Sequence, residues 1–139
     1  MEAIVPYLYF NGKAAEALTF YSTALDGEIL FQQTYGDSPM EVSPDSKGKI
    51  MHATFKAGEL SIMVSDSTEK TAVKAGTNIS LSLNFKDEES MTKVFNALSD
   101  GGNIAMPLQD TFWGARFGMA TDKFGIHWMF NHDKTPQGK

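Results

Sequence analysis

The 139-residue chain predicts an α+β fold of two βαβββ modules, for three reasons visible in its pattern. Two amphipathic segments at helical spacing are each preceded by one strand-like run and followed by three more. A polar, non-periodic stretch, STEKTAVKAGTN at 67–78, separates the two sets. The chain also repeats itself around the end of each helix. Ala24-Leu25-Asp26-Gly27-Glu28-Ile29 resembles Ala97-Leu98-Ser99-Asp100-Gly101-Gly102-Asn103-Ile104, at a spacing of about 73 residues with one insertion. The expected organisation is one domain with a first module at 1–66, a linker at 67–78, a second module at 79–133 and a short tail at 134–139.

In the first module IVPYLYF (4–10) is β-branched and aromatic, and the NGK that follows is a turn offering Asn11 as a helix cap. From Lys13 to Leu25 the residues Ala14, Ala17, Leu18, Tyr21 and Leu25 recur at helical spacing, and Asp26-Gly27 supplies the stop. EILFQQTYG (28–36) reads as a strand. DSPMEVSPDSKGK after it has no periodicity and is expected as a long surface loop that could cover a site. KIMHATFKAGELSIMVSD (49–66) reads as two strands hinged at Ala57-Gly58-Glu59, with Met51, Ala53 and Phe55, then Leu60, Ile62 and Val64, alternating.

The second module opens with ISLSLNF (79–85), which alternates strictly: Ile79, Leu81, Leu83 and Phe85 on one face, Ser80, Ser82 and Asn84 on the other. Asp87 and an acidic first turn then cap a helix whose Met91, Val94, Phe95 and Leu98 fall at i, i+3, i+4 and i+7, ending at Gly101-Gly102. NIAMPLQDTFW, ARFGMATD and IHWMF complete the module, the last two joined across DKFG.

Composition narrows the function. With 42% hydrophobic and 21% charged residues the chain has the make-up of an ordinary globular protein. A net charge of −5 with only isolated Lys and Arg residues argues against nucleic acid as a partner. The absence of cysteine excludes disulfides, thiolate metal ligands and a cysteine nucleophile, and fits the cytoplasm. The N-terminus lacks the pattern of a secretory signal, and no apolar run approaches the roughly 18 residues of a membrane span, so no membrane is expected.

A helix can cover only one face of a four-stranded sheet. If the sheets curl side by side, their uncovered faces form a cup suited to a small molecule. Alternation assigns the facing residues as Ser80, Ser82 and Asn84 on the fifth strand, Ser61, Met63 and Ser65 on the fourth, and His52 and Thr54 on the third. On the first strand it gives Pro6, Leu8 and Phe10, and on the last His127 and Met129, with Trp128 and Phe130 behind. A one-residue register error inverts any of these assignments.

PYLYFNG with EALTFY, IMHATFKAGE with MVSD, and above all MPLQDTFWGARFGMATDKFGIHWMF resemble the PhnB-like branch of the vicinal oxygen chelate superfamily, which includes glyoxalases and bleomycin-resistance proteins. The resemblance covers nearly the whole chain. It implies paired βαβββ modules, a cupped eight-stranded mixed sheet and a homodimer. Catalytic relatives hold a divalent metal with His and Glu from four strands, converging at about 2.0–2.2 Å. Carried onto this chain, those slots fall at Pro6, near Met63 or Ser61, near Asn78 or Ser80, and at Met129. None keeps a strong ligand, so the resemblance implies a chain without the usual metal or any other cofactor.

The candidate ligand-binding residues are His52, Thr54, Met63, Ser80, Ser82, Trp113, Arg116, His127 and Met129. His52 and His127 are the candidates for acid/base work, since imidazole titrates near neutrality; each could equally be a structural imidazole bonded to a neighbour. Arg116 could clamp an anion or pair with Asp110 across its hairpin. Trp113, Phe112 and Phe117 could form a shelf or part of the core. No phosphate cradle, nucleophile elbow, HExxH, dinucleotide or adenosylmethionine fingerprint is present. Proteins of this branch are sometimes labelled ubiquinone-pathway methyltransferases, a label nothing in the sequence supports. The leading expectation is a metal-free protein that binds a small organic molecule. A divergent enzyme using His52 or His127, and a drug-sequestering protein, are the alternatives.

Overall fold

The computed structural model describes residues 1–68 and 72–134. The chain divides into two compact units, Met1–Lys74 and Ala75–Lys139, each holding four strands and one helix. The α+β class and the repeated module are both present. The eight strands form two four-stranded mixed sheets.

In the first unit β1 (Tyr7–Phe10), β2 (Glu28–Thr34), β3 (Ile50–Ala57) and β4 (Leu60–Asp66) are ordered β1-β4-β3-β2. The β1–β4 pair is parallel and the other two are antiparallel. Helix α1 (Ala14–Ala24) lies against β2, β3 and β4. It buries Ala14, Ala17, Leu18, Tyr21 and Ala24 over Ala53, Phe55, Ile62 and Val64. Each fully buried Leu, Ile or Phe in this layer contributes about 1.5–3 kcal/mol.

The α1 cap is not the expected one. The helix begins after Lys13 without a capping side chain, and the Ala14 amide donates instead to the carboxylate of Asp66, at 2.9 Å. The other Asp66 oxygen accepts from the Ile50 amide, also at 2.9 Å, so this buried carboxylate ties the ends of β4, β3 and α1 together. Asn11 instead holds the backbone of Val73, donating to its carbonyl at 3.1 Å and accepting from its amide at 2.7 Å. The helix stops as expected: Asp26 adopts the left-handed conformation (φ 52°), and Gly27 follows where a Cβ would come within 2.7 Å of the Lys56 carbonyl. The Tyr35–Lys49 connection contains two single 3₁₀ turns, Tyr35–Asp37 and Pro44–Ser46, and closes with Tyr35 and Gly36 amides donating to Lys49 and Lys47.

The second unit repeats the order with β5 (Leu81–Asn84), α2 (Glu88–Ser99), β6 (Asn103–Asp110), β7 (Ala115–Thr121) and β8 (His127–Asp133), in the sheet order β5-β8-β7-β6. Asp87 caps α2 as its position implied, accepting from the Ser90 amide at 2.7 Å. Met91, Phe95 and Leu98 are buried against Ala120, Trp128 and Phe130, with the Phe95 and Phe130 rings edge to face at 5.0 Å. Gly118 permits that approach, since a Cβ there would meet Leu108 and Phe95 at 2.8 and 3.2 Å. A buried carboxylate organises this unit too. Asp122 accepts from the Phe124 and Ile126 amides and from the Trp128 indole, shaping the DKFG turn.

Two expected starts are corrected. β5 begins at Leu81, opposite Trp128, so Ile79 is exposed and Ser80 precedes the strand and does not belong to its open face. β1 begins at Tyr7, so Pro6 lies just outside it.

Candidate functional site

Each helix covers one face of its sheet, and the residues on the opposite face follow from register. In the first sheet Thr54 pairs with Met63 and Met63 with Tyr7, so these three share a face. Ala53, Val64 and Leu8 share the helix-covered one. The alternation therefore places His52, Thr54, Ser61, Met63 and Ser65 on the open face, as expected, but inverts the expectation for β1. Tyr7 and Tyr9 stand on the open face, and Leu8 and the buried Phe10 on the other. Pro6 alternates with Tyr7 and so falls on the same side as Leu8. YLYF has no polar residue to mark a side, so the sequence could not fix its phase.

The open face of the first sheet carries an aromatic cluster around His52. The Tyr7 hydroxyl lies 2.9 Å from His52 Nδ1, and the two rings are 5.7 Å apart. Tyr9 stacks on Tyr7 at 5.0 Å with 27° between planes. Phe31 of the edge strand β2, opposite Thr54, brings its ring within 6.2 Å of His52. Tyr9 and Phe31 are 55% and 50% exposed, a large uncovered area for aromatic side chains. His52 Nε2 has no hydrogen-bond partner among the described residues. Tyr35, on the turn after β2, lies within electrostatic reach of Tyr7. Burial first, then the negative charge of Tyr7 and Asp66 when ionised, raise its phenol above the ordinary value, and its hydroxyl donates to the Asp66 carbonyl at 2.9 Å. Sequence reasoning placed His52, Thr54 and Met63 on this face but not Tyr7 or Tyr9, and did not single out Phe31; the aromatics at i and i+2 in YLYF were the available signal.

In the second sheet Ser82 pairs with Met129, Met129 with Met119, and His127 with Thr121. These residues form the open face with Asn84, Phe117 and Asn131, in the facing expected of Ser82, His127 and Met129. His127 is fully engaged there. Its Nε2 donates to the Gly76 carbonyl at 2.7 Å, so in the neutral ring Nδ1 accepts the Thr121 hydroxyl at 2.8 Å. Trp113 is half exposed on the β6–β7 turn and touches Phe112 and Phe117 edge to face.

Arg116 does not reach the open face. It pairs with His132 on the helix-covered side, and its guanidinium bonds Asp110 at 3.2 Å and Glu88 of α2 at 3.5 Å. Lys134 joins the group, 2.7 Å from Asp110. The hydrogen bonds of Lys134 and then Arg116 hold the Asp110 carboxyl below its ordinary value. The clamp expectation gives way to the ion pair, extended to a four-member surface network. The third histidine, which sequence reasoning passed over, is structural: His132 Nδ1 donates to the Phe85 carbonyl at 2.9 Å.

In the group described on each open face the strong metal donor is a single imidazole: His52 on the first sheet, beside the phenol of Tyr7 and the thioether of Met63, and His127 on the second, beside the hydroxyl of Ser82 and the thioether of Met129, all of these neighbours being weak ligands for a hard or borderline divalent ion. Among the described residues no three His, Asp or Glu side chains converge. Nor is any helix among them long and apolar enough to cross a membrane.

Comparison with known proteins agrees with this architecture. The family model described as 3-demethylubiquinone-9 3-methyltransferase matches residues 2–130. Protein YjdN of Escherichia coli is 30% identical over 91% of this chain and 92% of its own length. Protein PA1353 from Pseudomonas aeruginosa superposes with a TM-score of 0.86 at 41% identity, covering 96% of this chain and 98% of its own. A PhnB protein from Bacillus cereus does so with 0.81 at 32%, covering 94% and 99%. A glyoxalase-related enzyme from Fulvimarina pelagi shares the fold, with a TM-score of 0.63 at 15% identity over 99% of this chain and 94% of its own. The chain therefore belongs to the PhnB-like family, whose model carries the 3-demethylubiquinone-9 3-methyltransferase description.

Proposed function

We propose that this PhnB-like protein is a homodimer that binds a small organic molecule without a divalent metal, using the open face of the first sheet. The observation that carries this reading is the exposed Tyr7, Tyr9 and Phe31 cluster around an imidazole whose Nε2 has no partner among the described residues. Aromatic side chains supply contact area at low entropic cost, and one fixed polar atom among them orients a ligand. One imidazole on each open face, His52 beside Tyr7 and Met63 and His127 beside Ser82 and Met129, supports a site without a metal, since phenol, thioether and hydroxyl do not complete a ligand set for a divalent ion. Support for the homodimer comes from the branch the chain resembles. With no adenosylmethionine fingerprint in the sequence, the proposal does not extend to methyl transfer.

A second reading is favoured by the same histidine. A hydroxyl at Nδ1 and an open Nε2 make His52 a workable general acid or base, whereas His127 spends both nitrogens on Thr121 and Gly76. Thermal-shift screening of metabolites and metals tests the proposal, since a molecule that binds only the folded state raises its stability. The reading expects aromatic compounds to raise Tm in wild type but not in a Tyr9→Ala, Phe31→Ala double variant. One tightly bound divalent ion per chain in native purified protein would contradict it.

A further inference from the structure

We infer that the ligand of the first sheet's open face is a planar aromatic molecule bearing a neutral hydrogen-bond-accepting oxygen, a carbonyl, received by Nε2–H of His52. The inference rests on the binding face proposed above and adds the shape and polarity of the occupant.

The polarity follows from the Tyr7–His52 bond. A phenol is the better proton donor and an unprotonated imidazole nitrogen the better acceptor, so the hydroxyl donates to Nδ1 across 2.9 Å. The reverse direction leaves the Tyr7 hydroxyl proton with no protein acceptor, because Tyr7 makes no other hydrogen bond among the described residues. With Nδ1 occupied as an acceptor, the neutral ring carries its proton on Nε2. That nitrogen is a donor without a partner among the described residues, and it sits among rings.

The shape follows from the neighbours. Tyr7 and Tyr9 lie within 27° of parallel, and Phe31 flanks the opposite side of His52. Flat faces of this kind favour offset stacking or edge contact with another ring. A donor at the centre disfavours a cation, which the same rings would otherwise attract. Among the described residues no Lys or Arg makes a cation–π contact or ion pair at these rings, so no fixed positive charge stands beside Nε2 to receive an anion, leaving a neutral acceptor.

The test titrates four compounds into the full chain: 2-acetylnaphthalene, the isosteric 2-isopropenylnaphthalene, 2-naphthylmethylammonium and cyclohexyl methyl ketone, followed by histidine-ring proton–nitrogen correlations. The expected result is that 2-acetylnaphthalene binds about 3- to 10-fold more tightly than 2-isopropenylnaphthalene, the value of one hydrogen bond. It should shift the His52 Nε2–H signal and outcompete the other two. His52→Phe, which keeps a ring and removes the donor, should equalise the two naphthalenes. Equal affinities in wild type would overturn the inference while leaving the binding face intact. Tightest binding by the ammonium would overturn it in favour of a cation site. If no naphthyl compound binds, both the inference and the proposed face fall.

Discussion

Thr121 and His127 face each other across β7 and β8, with the threonine hydroxyl 2.8 Å from Nδ1 of the imidazole, while Nε2 of the same ring holds the Gly76 carbonyl. This histidine fastens the segment before β5 to the sheet. His127→Ala should therefore cost stability, about 1–2 kcal/mol for two lost hydrogen bonds, and leave ligand affinity at the first sheet unchanged. Urea denaturation and a ligand titration on the same variant check both halves.

Asp66 should be among the most sensitive polar positions. Its carboxylate is 2% exposed and accepts the Ala14 and Ile50 amides, the first of which begins a helix with no cap of its own. Asp66→Ala strands both donors in the interior and should lose about 3 kcal/mol or more by chemical denaturation. Asp66→Asn keeps one acceptor oxygen and should fall between.

The two modules enter β2 and β6 through glycines that touch the neighbouring strand. A Cβ on Gly27 would meet Phe55, Lys56 and Ala57, and one on Gly102 would run into the Thr121 carbonyl. Backbone cannot yield as a flexible side chain does. Gly102→Ala should cost about 2 kcal/mol or more, and Gly58→Ala, whose Cβ meets nothing, should cost less, through its φ of +57° alone. Paired thermal melts decide the order.

How far the sequence reached depended on whether polar residues marked a phase. In β5 the serines alternate with leucines, and Ser82 faces where expected; the same pattern ran on into Ile79 and Ser80, where strand pairing has already ended. In β1 four apolar or aromatic residues in a row gave no phase, and the inverted assignment hid Tyr7 and Tyr9. The α2 cap at Asp87 was local and legible. Arg116 was not, because its partner Glu88 comes from a helix distant in sequence. The same holds for Asp66, whose partners Ala14 and Ile50 lie on two other elements.

Acid should weaken the fold through two exposed carboxylates. The Ser90 amide and hydroxyl hold Asp87 below its ordinary 3.8, and Lys134 with Arg116 does the same for Asp110. A depressed folded value means stability present above the unfolded value and lost as pH falls through the folded one. Tyr35 works oppositely: its raised value gives stability present below 10.0 and lost as pH rises past it. The urea midpoint of wild type should decline below pH 3.8, and an Asp87→Asn, Asp110→Asn double variant should show a shallower decline.

A fragment titration read by amide and side-chain chemical shifts over the whole chain decides whether a small aromatic molecule occupies the open face of the first sheet. Perturbations should concentrate on Tyr7, Tyr9, Phe31, His52, Thr54 and Met63, with the Ala53, Phe55, Ile62 and Val64 layer unmoved. Perturbations confined to the second unit, or none with any aromatic fragment, would rule that occupancy out.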